Sequence, residues 1–293
     1  MSILTISTIK NYIELTKPRI AFFCLIMTAG GVILASDKIS ILSLIMTFIG
    51  TALSVASANT FNMVYERHTD QFMKRTQFRP MVVGKIKVKH ALIFACVLAV
   101  VSLTLLVYFV NILTAVLAFA AIVFYAAIYT PLKVKTPLAL VIGAVPGAIP
   151  PLLGWTAVDN KVTPAALALF GVLFAWQMPH FIAIAIYHKA DYAKAGIQVV
   201  PVVRGERAAK IQALLWTICL VLMSMLLIYF KLGGYIYAFF AVTLGFWFLY
   251  LSLVGLFRVT PNWPRKFFIA SLIYLPALVL GLIIDRCASF LKF

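Results

Sequence analysis

The feature that constrains this chain most is a succession of apolar runs, each about as long as a bilayer is thick. The hydrocarbon core of a membrane measures about 30 Å and a helix rises 1.5 Å per residue, so a span needs roughly 20 mainly apolar residues. Nine segments meet that condition, at about 20–36, 41–62, 91–109, 112–130, 138–156, 164–186, 212–230, 235–257 and 267–284. A turn at Asn111 alone separates the third from the fourth, and Lys231, Leu232, Gly233 and Gly234 separate the seventh from the eighth. Each of these pairs is expected to form an antiparallel hairpin. Composition agrees: 64% of the 293 residues are hydrophobic and 11% charged, against roughly 45–50% and 25% in soluble domains. No linker or low-complexity tract divides the chain. The expectation is one all-α membrane domain over residues 1–293, with about nine transmembrane helices enclosing a central cavity.

Short loops rich in Lys and Arg stay in the cytoplasm. Twenty of the 25 basic residues fall on one side of this topology, and only Lys38, Lys161, Lys231, Arg286 and Lys292 on the other. This places the N-terminus inside and, after nine crossings, the C-terminus outside. The net charge of +17 is then topology, and no nucleic acid is needed to explain it. Cys24, Cys96, Cys219 and Cys287 are scattered singly, which fits neither a zinc site nor a redox pair. The basic start followed by a long apolar run reads as an uncleaved first helix, with a short amphipathic surface helix over 3–15. The expected location is a bacterial cytoplasmic (inner) membrane.

The polar residues gather in two loops on the basic side, at about 63–90 and 187–211. In the first, Asn62, Glu66, Asp70 and Lys74 advance by four, so a helix continuing out of the second span carries them on one face. Two carboxylates so placed repel unless a cation lies between them. Oxygen ligands favour Mg²⁺, which keeps waters and completes its shell with substrate phosphate. Lys74, Arg75 and Arg79 are suited to that phosphate. The alternative is a solvated helix end with Glu66 and Asp70 paired to Arg67 and Lys74.

The second loop echoes the first. Asp191 precedes Pro201 by ten residues, as Asp70 precedes Pro80, and both loops follow inward-going spans, as in membrane folds built from related halves. A third element, Tyr129 and Lys133, is spaced to present a phenol and an ammonium to one diphosphate; an interfacial aromatic beside a snorkelling lysine is the plainer alternative. In the sixth span lie Trp176, Gln177, Met178, Pro179 and His180. An ionisable group at membrane depth is costly and faces a cavity or a partner, so His180 contacts either a polar substrate, a haem iron or a neighbouring helix. In the fifth, Gly143, Pro146, Gly147, Pro150, Pro151 and Gly154 either open a cavity or admit close helix packing.

At these residues the chain resembles the intramembrane prenyltransferase superfamily, most closely its protohaem IX farnesyltransferase (haem O synthase) branch. The resemblance covers nearly the whole chain. It rests on Asn62-Met63-Val64-Tyr65-Glu66 through Asp70, on Met73-Lys74-Arg75-Thr76 with Arg79-Pro80, and on Tyr129-Thr130 with Lys133. It rests further on the run Gly143 to Trp155, and on Trp176-Gln177-Met178-Pro179-His180 with Asp191-Tyr192 and Pro201-Val202-Val203. Glu66 stands where the family usually has Asp, and Val134 where it has Arg, with Lys135 as a substitute.

The resemblance implies transfer of a farnesyl group from farnesyl diphosphate to a vinyl group of haem b. Mg²⁺ would be held through Asn62, Glu66, Asp70 and Asp191. Tyr129 and Lys133 would act with these as catalytic groups, Lys74, Arg75, Arg79 and Lys194 would bind diphosphate, and Trp176, Gln177 and His180 would receive haem. A haem A synthase or terminal oxidase assembly would lie downstream. Three other readings stay open: prenylation of an aromatic quinone precursor, secondary transport, and a haem-binding assembly factor.

Overall fold

The computed structural model describes residues 6–35, 38–258 and 262–290, and among these every regular element is a helix. In chain order they are α1 (Ile6–Leu15), α2 (Pro18–Leu34), α3 (Ile41–Asp70), α4 (Val88–Phe109) and α5 (Ile112–Val123). A π-helical turn, Phe124–Tyr129, leads into α6 (Thr130–Leu132). Then follow α7 (Ala139–Ala148), α8 (Pro150–Asp159), α9 (Pro164–Tyr187), α10 (Lys189–Lys194), α11 (Val200–Val203), α12 (Gly205–Tyr229), α13 (Tyr235–Phe257) and α14 (Trp263–Phe290).

Eight helical stretches among the described residues are long and apolar enough to cross a membrane, and α1 with α2, bent by 48° at their junction, makes a ninth candidate. This is a multi-pass membrane protein, as the apolar runs predict. The helix expected to begin at Ile3 is seen from Ile6, its earlier residues lying outside those described.

The chain forms two compact units, one of Met1–Val162 with Ala190–Gln198, the other of Thr163–Lys189 with Val199–Phe293. In the first, small residues let helices approach closely, since lipid supplies no hydrophobic drive between spans. Ser57 and Ser102 send their hydroxyls across the α3–α4 contact to the carbonyls of Ala95 and Gly50, at 2.8 and 2.7 Å. Gly31 and Gly154 do the same for α2 and α8: a Cβ on Gly31 would run into the Pro151 carbonyl, and one on Gly154 into that of Thr28. At Gly154, then, the Gly/Pro-rich run serves close packing. Asn111 caps α5 through Thr114 N (2.8 Å) and also donates to the Thr156 carbonyl (2.7 Å), which fixes the predicted α4–α5 hairpin.

In the second unit, Trp263, Phe267 and Phe248 stack in sequence, with ring centroids 4.7 and 4.6 Å apart. α13 has no side-chain cap of its own. Asp285, from α14, supplies one: its carboxylate accepts the amides of Gly234 and Tyr237 at 2.7 Å each.

The α2–α8 contact yields a contrast between near neighbours. Gly154→Ala forces backbone against backbone and should cost about 1–3 kcal/mol, whereas nothing lies within 4 Å of a Cβ at Gly30. Thermal unfolding in detergent should show Gly154→Ala lowered by roughly 2–10 °C and Gly30→Ala unchanged. Equal Tm values would refute the packing role.

Candidate active site

The site is built at the end of α3. Asn62, Glu66 and Asp70 lie in its last three turns and are all buried. Three carboxamide or carboxylate groups on one buried helical face cannot be left without partners, because desolvation of each charge costs several kcal/mol. The neighbouring segments supply cations. Lys133 Nζ lies 2.7 Å from Glu66 Oε1, and Arg79 Nη1 lies 2.6 Å from Asp70 Oδ2 and 4.0 Å from Glu66 Oε2. Lys17 Nζ donates to Asn62 Oδ1 at 2.8 Å, and Asn62 Nδ2 donates to Thr130 Oγ1 at 3.1 Å.

The backbone is shaped to bring these groups in. Pro131 has no amide hydrogen, and just before it the helix widens into the π-turn, where the amide and hydroxyl of Thr130 both reach the Tyr125 carbonyl. Such turns are frequent at functional sites. This one aims Tyr129 and Lys133 at α3, with Lys133 Nζ 4.6 Å from the Tyr129 ring centroid. Gly143 makes room for that ring: a Cβ there would strike it. Burial opposes the charge on Lys133, but the adjoining Glu66 carboxylate outweighs it and holds the ammonium well above the ordinary lysine value.

Sequence reasoning missed Lys17. It sits in the break between α1 and α2 with φ +50°, a left-handed conformation that is uncommon outside glycine and gathers at functional sites. The signal was present: a residue before proline avoids the right-handed helix, and Lys17 precedes Pro18. Asn59 steadies the break by donating to the Thr16 carbonyl at 3.3 Å.

Other expectations are corrected. α3 stops at Asp70, so Lys74 does not extend the helical face; the chain turns there as the Thr76 hydroxyl and the Met73 amide take the Asp70 carbonyl. Lys74 and Arg75 are exposed, as are Lys194 and Lys135. Asp191, on α10, is half-buried in the same unit as Asp70. The stretch after α10 is tied to the site by Gln198 N, which donates to the Lys133 carbonyl at 2.8 Å. Yet among the described residues no three His, Cys, Asp or Glu side chains converge closely enough for one ion, so the four-ligand set including Asp191 does not form a single cage. His180, Trp176 and Gln177 are buried in the other unit.

A divalent ion fits the α3 face. Asp70 Oδ2 is taken by Arg79, whereas Oδ1 is buried and has no hydrogen-bond partner, an acceptor left for a cation. The donors are all oxygen, which suits Mg²⁺. Arg79 and Lys133 balance the two carboxylates, and Lys17, which burial lowers to about 7, is a third basic group that an anion brought with the metal would hold charged.

The UbiA prenyltransferase family model matches residues 24–274. Among curated relatives, a protoheme IX farnesyltransferase of Myxococcus xanthus is 43% identical over 94% of this chain and 95% of its own. One of Trichormus variabilis is 41% identical over 96% and 89%. Among solved structures, a digeranylgeranylglyceryl phosphate synthase superposes with a TM-score of 0.82 at 21% identity over 95% of this chain and 98% of that one. A UbiA homolog from Archaeoglobus fulgidus bound to GPP and Mg²⁺ does so with a TM-score of 0.64 at 18% identity, over 93% and 99%.

The charge arrangement predicts a measurable ligand response. Inorganic pyrophosphate with Mg²⁺, at about 100 times its Kd, should stabilise the protein by about 2.7 kcal/mol. Asp70→Ala and Lys133→Ala should each abolish that thermal shift; a full shift retained in both would show that this cluster is not where the anion binds.

Proposed function

This chain belongs to the UbiA prenyltransferase family, and we propose that it transfers a farnesyl group from farnesyl diphosphate to a vinyl group of haem b. The observation that carries this reading is the buried Asn62–Glu66–Asp70 face with its three basic partners and the open Asp70 Oδ1. The names of the curated relatives support the choice of haem. In this reading residues 1–293 act as one catalytic domain, with the N-terminus and the active site on the cytoplasmic side of an inner membrane.

Asn62, Glu66 and Asp70 would hold Mg²⁺, and Asp191, on the loop that Gln198 ties to Lys133, is assigned to the same metal–diphosphate complex. Bound there, the metal neutralises diphosphate charge and makes it a better leaving group. Arg79 and Lys133 contribute fixed positive charge to the same end, Arg79 as a fork and the lysine as a point charge, and Lys17, which burial lowers to about 7, adds its charge once the anion is bound. Tyr129 lies under Lys133 and offers both a phenol to the leaving oxygen and a π-face to the allylic cation. Lys74, Arg75 and Lys194, exposed in the structure, are assigned to guiding the anion toward the site. The vinyl group of haem b then supplies the electrons for the new carbon–carbon bond, and water completes the hydroxyethylfarnesyl side chain. Trp176, Gln177 and His180 are assigned to the haem.

Purified protein given farnesyl diphosphate, Mg²⁺ and haem b should yield a haem heavier by the farnesyl group and one hydroxyl, and chelator should stop it. Prenylation of 4-hydroxybenzoate but not of haem would overturn the acceptor; transport without pyrophosphate release would overturn the chemistry. Asp70→Ala should reduce turnover to near zero, which a haem-binding assembly factor would not require.

Gly143→Ala tests positioning. It displaces the Tyr129 ring without touching a charged group, and misplacement of about 1 Å costs on the order of 100-fold in rate. We expect kcat/KM to fall by roughly that factor while the pyrophosphate-induced thermal shift persists; an unchanged rate would remove Tyr129 from the mechanism.

A further inference from the structure

His180 is a buried imidazole in the middle of α9, stacked on Trp176 at 4.7 Å and flanked by Phe268 and Phe181 at 4.9 and 5.4 Å. Its Nδ1 lies 2.8 Å from the hydroxyl of Ser271, which is itself fully buried. That hydroxyl has one proton, and its oxygen is only 2.5 Å from the Phe268 carbonyl. Two oxygens at that separation need a proton between them, so Ser271 donates to Phe268 and has only a lone pair left for His180. Nδ1 must therefore carry hydrogen. The side chains against the ring, Trp176, Phe181, Phe268 and Ser271, include no acid to balance an imidazolium, so the ring is neutral and the lone pair sits on Nε2. Nε2 makes no hydrogen bond among the described residues and is not sealed away from all space.

We infer that Ser271 is a positioning residue that fixes His180 in its Nδ1–H tautomer, so that Nε2 is presented as an axial ligand to the iron of the haem substrate. The inference rests on haem b being the acceptor. Histidines that bind metals hold the second ring nitrogen through a hydrogen bond of this kind, which sets both tautomer and orientation and makes the ligating nitrogen more basic. The tautomer is locked from two sides: Trp176 Nε1 donates to the Ser271 carbonyl at 2.7 Å, anchoring the serine on α14 to the helix that carries the imidazole.

The experiment is titration of the full-length protein in detergent with haem b, read by the Soret band and, for the ferrous form, by the resonance Raman iron–histidine stretch. Wild type should show that stretch, and His180→Ala should lose it. Ser271→Ala should bind haem about 10–100-fold more weakly, with the stretch at lower frequency because Nδ1–H has lost its acceptor. The pyrophosphate-induced thermal shift of Ser271→Ala, retained, reports an intact fold. A stretch unchanged in His180→Ala overturns iron ligation. Unchanged affinity and frequency in Ser271→Ala overturn the role of the serine while leaving His180 as ligand. Farnesylation of an aromatic acid by a wild type that binds no haem would instead overturn the acceptor, and the inference with it.

Discussion

Two carboxylates buried at the end of a helix of a membrane protein are the constraint from which the rest follows. Glu66 and Asp70 cannot be taken out of water singly, since an uncompensated buried charge costs about 3–5 kcal/mol. The fold therefore brings Lys133 and Arg79 to them at 2.7 and 2.6 Å. What distinguishes this cluster from a structural ion-pair network is that it is incomplete. Buried carboxylate oxygens are rarely left without a partner, yet Asp70 Oδ1 is enclosed and unpartnered. The third basic group, Lys17, and the open acceptor point to a ligand that brings its own cation and anion together.

Holding such a cluster requires backbone that departs from ideal helix, and the departures fall where the cations enter. Lys17 leaves the helix in a left-handed conformation before Pro18, and the π-turn before Pro131 re-aims Tyr129 and Lys133. Gly143 is small because an aromatic ring occupies the place of its side chain. These features cost conformational energy, and the break at Lys17 is held by Asn59 and Asn62 of α3, while α2 beyond it packs closely on α8 through Gly31 and Gly154. In a membrane, where small-residue contacts substitute for hydrophobic drive, glycines near the site thus act on the chemistry through geometry.

Much of this was legible in the sequence because the bilayer imposes so strict a length rule. The apolar runs located every long helix, with 235–257 matching α13 at both ends. The spacing of Asn62, Glu66 and Asp70 by four gave their common face. Extrapolating that spacing to Lys74 failed, since periodicity says where a face lies if the helix continues but not where a side-chain hydroxyl such as that of Thr76 ends it. Lys17 was counted only as a topological charge. Its partner, Asn62, lies 45 residues away, and no local pattern announces a hydrogen bond of that range. For the same reason the environment of His180 was open between a substrate contact and a bond to another helix; Ser271, 91 residues on, turns these into one arrangement in which the helix bond serves the free nitrogen.

Selectivity within such a family has to be carried by something other than the diphosphate cluster. Charges that hold Mg²⁺ and pyrophosphate recognise what all prenyl diphosphates share, and the solved structure bound to GPP and Mg²⁺ superposes on this chain at only 18% identity. An acceptor must instead be chosen by groups that tell one neutral, planar molecule from another. In this chain those groups are gathered on α9 and α14: an indole stacked on an imidazole, phenyl rings beside it, and one lone pair fixed by a serine. A porphyrin offers both a wide π-face for such rings and a metal for the nitrogen, while a phenolic acid offers neither the area nor the metal. If haem is the acceptor, as proposed, the tautomer at His180 is the point at which the chemistry of this chain becomes specific.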